Sequence, residues 1–300
     1  MKRFFTYVLC AAGVVLASCS QDETFEQVNS NSNAISFHAS LPQNGPMTKA
    51  DASVKRYVMG LYKGTSGTEK VDLTPDDESS ATISQTNGTF ELDGEEYGLE
   101  TGITYTAVFW ADYNDGAYNV NDLHWVALNS DKNVSMAYAG KKEFTYGEAL
   151  ADNSVILKRV VAQVNLNQKT AYTANEGDKI TVSYTGNSVY DVMASGIASG
   201  DGGDRAFKLE IAVAAGDKAE GSTLGSFYAF ASSELTTITF AYNDSEPISV
   251  SNVPLTANYQ TGITGNYTQT NSDYTFEVDT DNGECTAGHL VPADFQLFII

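Results

Sequence analysis

Apolar and polar residues alternate along much of this chain, and the alternation restarts many times. Ile35, Phe37, Ala39 and Leu41 share one face of the run Ala34–Leu41, the period of a half-buried strand. Pro42, Asn44, Gly45 and Pro46 end that run, and the small polar residues 43–53 are expected to form an exposed loop. Strands are then predicted at Tyr57–Tyr62, Ala81–Ile83, Gly88–Leu92 and the strong run Thr104–Trp110. The series continues with Val155–Leu166, Ile180–Tyr184, Phe207–Val213, Phe227–Ala231, Thr237–Tyr242, Ile248–Val250 and Tyr274–Val278. Loops at 74–80, 93–102 and 112–122 are rich in Asp, Glu, Gly and Asn. Helical periodicity is poor throughout, with room for one short turn at Gly147–Ala151. Short strands separated by turn residues predict an all-β protein built from sandwiches. Two sets divided near residue 150 predict an N-terminal sandwich over 34–152 and a C-terminal one over 153–300.

The N-terminus follows a different pattern. Lys2 and Arg3 precede an apolar run, Phe4 to Leu16, which meets Ala17-Ser18-Cys19. A positive start, a short apolar stretch and small residues before a cut site describe a secretory signal over residues 1–19; a membrane span needs about 20 apolar residues. Leu16-Ala17-Ser18-Cys19 resembles the bacterial lipobox, which implies lipidation of Cys19. The following Ser20-Gln21-Asp22-Glu23 resembles the surface-export signal of Bacteroidetes lipoproteins, which implies an outer-membrane lipoprotein facing outward. Residues 20–33, polar and without periodicity, read as a tether. Cys10 leaves with the signal and Cys19 carries lipid, so Cys285 is the one free thiol expected, with no disulfide.

Charge narrows the function classes. Seventeen Lys and Arg against 38 Asp and Glu give a net charge of −21, which argues against nucleic acid as a partner because phosphate binding needs a basic surface. Three His and three Cys leave little material for a metal centre, and no metal or other cofactor is expected. No GxSxG, HExxH, P-loop or CxxC pattern occurs, so no enzyme is expected. Cys285 and His289 need a helix to align them, and Gly288 and Pro292 argue against one. Asp112-Tyr113-Asn114-Asp115-Gly116 suggests a calcium loop only superficially: its Gly is fifth and Leu123 stands where a Glu belongs. Trp110 and Trp125 are candidates for stacking on a sugar, although Phe109 and Trp110 at strand spacing also read as one core residue beside one partly exposed neighbour.

The chain ends on an apolar run, Asp294–Ile300, in which Phe295, Leu297 and Ile299 alternate. Such a run is either a last core strand or a strand donated to another subunit. Three internal stretches bear on the choice. Leu157-Lys158-Arg159-Val160-Val161-Ala162-Gln163-Val164-Asn165-Leu166, the stretch Val253-Pro254-Leu255 through Asn258-Tyr259 to Thr268, and Tyr105–Ala111 resemble strands of the fimbrillin-type lipoproteins of Bacteroidales, subunits of donor-strand pili. That resemblance implies two transthyretin-like β-sandwiches in tandem. It also implies a lipidated precursor whose first strand is removed by a trypsin-like protease, and polymerisation with copies of itself or related fimbrial subunits. On these residues the removable strand would carry Ile35, Phe37, Ala39 and Leu41, and the donor Phe295, Leu297 and Ile299. Where such proteins often carry Thr-Arg-Ala in the cut loop, this chain has Thr48-Lys49-Ala50, so the cleavage candidates are Lys49 and Arg56. The expected partners are fimbrial subunits, the outer membrane through lipid, a maturation protease and a surface ligand of host or bacterium. The alternative is a non-polymerising surface lipoprotein that binds glycans through Trp110 and Trp125.

Overall fold

The computed structural model describes residues 34–42, 54–74, 81–197, 204–268 and 275–279, all within one compact unit. They form 23 strands and no helix. In chain order these are β1 Ala34–Ser40, β2 Arg56–Lys63, β3 Glu69–Val71, β4 Ile83–Gln85, β5 Thr89–Asp93, β6 Thr104–Asp112, β7 Tyr118–Asn119 and β8 Trp125–Leu128. There follow β9 Ala137–Thr145, β10 Ser154–Ile156, β11 Lys158–Arg159, β12 Val161–Gln168, β13 Tyr172–Ala174, β14 Lys179–Asn187, β15 Val189–Asp191 and β16 Gly196–Ile197. The last are β17 Asp204–Ala212, β18 Gly216–Lys218, β19 Thr223–Phe230, β20 Thr236–Tyr242, β21 Ile248–Val253, β22 Gln260–Gly265 and β23 Thr275–Asp279.

Burial along these strands follows the sequence pattern. β12 and β14 alternate inward apolar residues, Val164 and Leu166 or Ile180 and Val182, with less buried polar ones, so each covers a core with one face. Two pairs of sheets result. The three-stranded sheet β10-β1-β5 packs on the six-stranded sheet β11-β9-β6-β2-β3, to which β4 is joined through β2; Phe37 and Phe90 meet Phe109 across that gap at 5.7 Å each. The sheet β17-β14-β20-β21 packs on β19-β12-β22-β23, with Tyr184 against Phe227 at 5.5 Å. A further sheet, β16-β15-β8-β7, contributes Tyr118 and Tyr190. Tyr118 meets Trp110 at 5.0 Å and Phe230 at 5.8 Å, so one aromatic chain runs from β6 to β19.

Three expectations change. Val155–Leu166 is not one strand: it is β10, β11 and β12 in succession, and its first two pieces pair with β1 and β9. Leu157, fully buried, marks the crossing between sheets. The long strand β9 was not expected, because Ala137, Gly140, Lys141 and Lys142 are weak strand formers; its place between β6 and β11 decides its conformation. Residues 147–151 contain no helical turn, and a Gly147 with φ of 87° fits a tight turn instead.

Candidate functional site

β1 sits between two partners. It runs antiparallel to β5, with Phe37 opposite Phe90, and parallel to β10, with Ala39 opposite Val155. Both of its backbone edges are therefore engaged: His38 N–H donates to Asn153 O at 2.9 Å and Ala39 N–H to Gly88 O at 2.8 Å. On the far end, Leu157 N–H donates to Ser40 O at 2.8 Å. The expected inward face is the observed one. Phe37 and Ala39 are buried, and Ile35 and Leu41 are partly buried against the same core.

The seat has a definite shape. The Phe37 ring stands edge-on to Phe109 and to Phe144 at 5.3 Å, an aromatic box supplied by β6 and β9. Ala39 faces a tighter place, because Gly88 approaches its carbonyl. A Cβ on Gly88 would lie 2.2 Å from Ala39 O, and its φ is 71°, so both sterics and backbone demand glycine there. The outward residue His38 has Nδ1 3.3 Å from Thr89 Oγ1.

Of the two cleavage candidates, Arg56 opens β2 and is held. Its Nε donates to Asp112 Oδ1 at 2.9 Å and a terminal nitrogen donates to Oδ2. Asp112 is fully buried and accepts two more bonds, from Trp110 Nε1 at 3.0 Å and Asn114 N–H at 2.8 Å. A buried carboxylate with four donors is fully satisfied, and Arg56 supplies its counter-charge. The backbone is engaged too: Arg56 pairs with Asp112 across β2 and β6, and Lys55 N–H donates to Asp112 O. A trypsin-like protease needs this side chain in its own pocket and this backbone in its own cleft, so the folded state withholds Arg56. Lys49 and Cys19 lie outside the described residues, as do Cys285, His289 and the run containing Phe295, Leu297 and Ile299.

The two tryptophans do not form a platform. Trp110 is fully buried. One of Phe109 and Trp110 was expected to be partly exposed, but both are buried: the sheet containing β7 and β15 covers the second face of β6, and Trp110 packs on Tyr118 and Tyr190 there. Burial pushes the Tyr190 hydroxyl up to about 12, with the Asp191 charge adding to it. Trp125 on β8 is 44% exposed, with one ring face stacked on His124 at 4.3 Å. His124 Nδ1 lies 2.9 Å from Gly67 O, which can only accept, so that nitrogen carries the proton. Its main-chain N–H donates to Tyr62 OH at 2.8 Å and to Asp122 Oδ1 at 2.9 Å. Asp122 is part-buried, which works against its charge. The Tyr62 hydroxyl, the His124 N–H and Lys70 outweigh that and hold the carboxyl below its usual range. Among the described residues, no group of three or more His, Cys, Asp or Glu could hold a metal ion.

The family of unknown function DUF6562 matches residues 26–285. The chain belongs to that family. No curated protein matches it. Solved structures similar to this DUF6562 chain include the fimbrial anchor protein Mfa2 from Porphyromonas gingivalis, 10% identical with a TM-score of 0.49 over 82% of this chain and 97% of that one. Another is a candidate cell adhesion protein from Bacteroides eggerthii, 12% identical with a TM-score of 0.48 over 82% of this chain and 95% of that one. A third is a fimbrial assembly protein from Parabacteroides distasonis, 12% identical with a TM-score of 0.42 over 84% of this chain and 98% of that one.

Proposed function

We propose that this protein is a structural and adhesive subunit of a surface fimbrium. In this reading it is exported as an outer-membrane lipoprotein through Cys19 and polymerises by exchanging β1 for a strand of a neighbouring subunit. The observation that carries the reading is the position of β1, interior to its sheet and hydrogen-bonded along both edges, in a seat built by residues far from it in sequence. Taking such a strand away would leave two unpaired edges, on β5 and β10, flanking an apolar slot. An edge of that kind recruits another strand through main-chain hydrogen bonds, with side-chain pockets setting specificity. Refilling the Phe37 box alone is worth about 1.5–3 kcal/mol. A filler that keeps the pairing of β1 would run antiparallel to β5 and parallel to β10.

The role is architectural rather than catalytic. Release of β1 requires a cut between it and β2, and Lys49 is the site this reading favours, since Arg56 is bound to Asp112. The donor is the run containing Phe295, Leu297 and Ile299. The reading keeps two sandwich domains in tandem, divided near residue 152, with β10 and β11 reaching back to pair with β1 and β9.

The test uses the full chain treated with trypsin, followed by intact mass and a native gel. A single cut at Lys49, release of the N-terminal piece and a ladder of oligomers are expected. The same treatment of a chain lacking Asp294–Ile300 should yield cut monomers only. A ladder that persists without those residues would remove them as the donor, and monomers from the cut intact chain would overturn polymerisation by strand exchange.

A further inference from the structure

Two of the stretches that carry the resemblance meet in space. Lys158 and Arg159 of β11 and the turn Asn258-Tyr259 before β22 line one cavity of about 510 Å³, together with Lys141 of β9 and Ser195 after β15. That size falls within the roughly 300–1,000 Å³ of small-ligand sites. Its charge runs against the rest of the molecule. The chain carries 38 acidic residues against 17 basic ones, yet the described residues lining this cavity include three cations and neither Asp nor Glu.

The cations are held in different ways. Arg159 is only 7% exposed; its guanidinium lies 5.7 Å from the centre of the Tyr138 ring, and a terminal nitrogen donates to Tyr138 OH at 3.4 Å. It is a fixed charge in the wall. The Lys141 ammonium donates to the Met193 carbonyl, which ties β9 to the turn that carries Ser195; an ammonium has three N–H donors. Lys158 is exposed at the rim. Between them stand residues with neutral polar side chains: Ser195, whose hydroxyl donates to the Val192 carbonyl at 3.5 Å, Asn258 and Tyr259. Ser195 and Asn258 both adopt left-handed backbone, φ 57° and 65°, and make up two of the five non-glycine residues that do so among the described ones. Such conformations persist where the surroundings impose them, and they gather at binding sites. The Asn258 turn is imposed by β12, since Asn258 N–H donates to Val161 O and Gln163 N–H to Tyr259 O. Ile156, 63% exposed, supplies an apolar wall.

We propose that this cavity binds an acidic saccharide. The carboxylate or sulfate of the sugar seats between Lys141 and Lys158 with Arg159 behind it. Its hydroxyls pair with Ser195, Asn258 and Tyr259, and a less polar ring face rests on Ile156. One charged group among several hydroxyls matches a site in which cations surround neutral polar side chains. A bare inorganic anion would use the cations and leave the neutral groups and most of the volume unmatched. A long polyanion is disfavoured by the −21 charge of the chain, so the ligand is a single acidic sugar or a short oligosaccharide end.

The test is isothermal titration of the full chain at low salt with galacturonate, glucuronate, N-acetylneuraminate, glucose 6-sulfate, neutral glucose and sodium sulfate. Saturable binding of at least one acidic sugar is expected. Lys158→Glu should weaken it at least tenfold while leaving the circular dichroism spectrum and melting curve unchanged; Lys141→Ala should weaken it at least tenfold with an unchanged circular dichroism spectrum and a lower melting temperature, because it also gives up the bond to the Met193 carbonyl. Preference for uronates or sialate over glucose 6-sulfate assigns the anionic group as carboxylate, and the reverse assigns it as sulfate. No saturable binding of any acidic sugar overturns the proposal. So do equal affinity for glucose, equal affinity for sulfate ion, or binding that survives both substitutions. The titration does not involve β1, so its outcome is independent of strand exchange.

Discussion

Phe37 concentrates the hold on β1. It is the large side chain of the strand that is wholly buried, and its ring has aromatic partners on β6 and β9. Phe37→Ala should therefore destabilise the protein by about 3–5 kcal/mol, the usual cost of emptying an aromatic core site. The substitution should also raise hydrogen exchange at β5 and β10 more than at β14, which belongs to a different sheet. Gly88→Ala probes the other end. Its Cβ would collide with the Ala39 carbonyl at a positive φ, so the expected cost is more than about 1 kcal/mol, read in the same exchange experiment at Ala39 and Ser40. Strict alternation made the inward side chains of β1 legible in the sequence. Gly88 was not legible as part of the seat, because it read only as the start of the strand Gly88–Leu92, and the Ala39 carbonyl it approaches lies far away in sequence. The burial of Trp110 was not legible for a related reason: whether the second face of β6 is covered depends on Tyr118 and Tyr190, the latter from the far half of the chain.

At the scale of the strand, β2 is where a proteolytic reading meets a packing fact. Arg56 was a cleavage candidate because it is basic and follows the loop after the first strand, and its partner Asp112, at the end of β6, could not be found from spacing. Asp112→Asn keeps the shape of the side chain and removes the charge that retains Arg56. Breaking one member of a buried ion pair costs roughly 3–5 kcal/mol, and the freed guanidinium becomes available to a protease. Trypsin should thus leave the Arg56–Tyr57 bond intact in the native protein and cut it readily in Asp112→Asn, as fragment masses would report. Rapid cutting there in the native protein would mean that β2 opens far more often than its pairing with β6 allows. The long strand that the pattern missed is held by its neighbours. β9 carries Gly140, Lys141 and Lys142 and holds its place through β6 on one side and β11 on the other. The division of Val155–Leu166 into three pieces likewise reflects which sheet each piece reaches, a choice made by tertiary contacts on a stretch that is uniformly strand-like in sequence.

The charge of the whole molecule sets its response to pH. Between neutrality and the isoelectric point near 4.3, protonation relieves the self-repulsion of a chain at −21, which favours the compact state. Opposing this is Asp178, a mostly buried carboxylate. The Tyr242 hydroxyl donates to it at 2.6 Å, Asn175 N–H at 2.7 Å and the Asn243 amide at 2.9 Å. The Tyr242 bond first, then the other two, hold it below its ordinary 3.8. A group lowered in the folded state stabilises fully above its unfolded value, and that contribution is lost as pH falls through the folded one. Asp122 acts in the same direction. On the alkaline side, burial raises Tyr62, Tyr118, Tyr184, Tyr190 and Tyr242 above 10, and these groups stabilise below 10 and cease to do so as pH climbs toward their folded values. The melting temperature should then rise from pH 8 to about 5, by less in high salt because screening has already removed the repulsion. It should fall below 3.8, where Asp178 and Asp122 take up protons, and again above 10 as the buried tyrosines ionise. Calorimetry across this range checks each limb. Asp178→Asn should flatten the acid limb while leaving the rise between pH 8 and 5 in place, since that rise belongs to the net charge and not to any one residue. An acid limb unchanged by the substitution would move its origin to carboxylates other than Asp178.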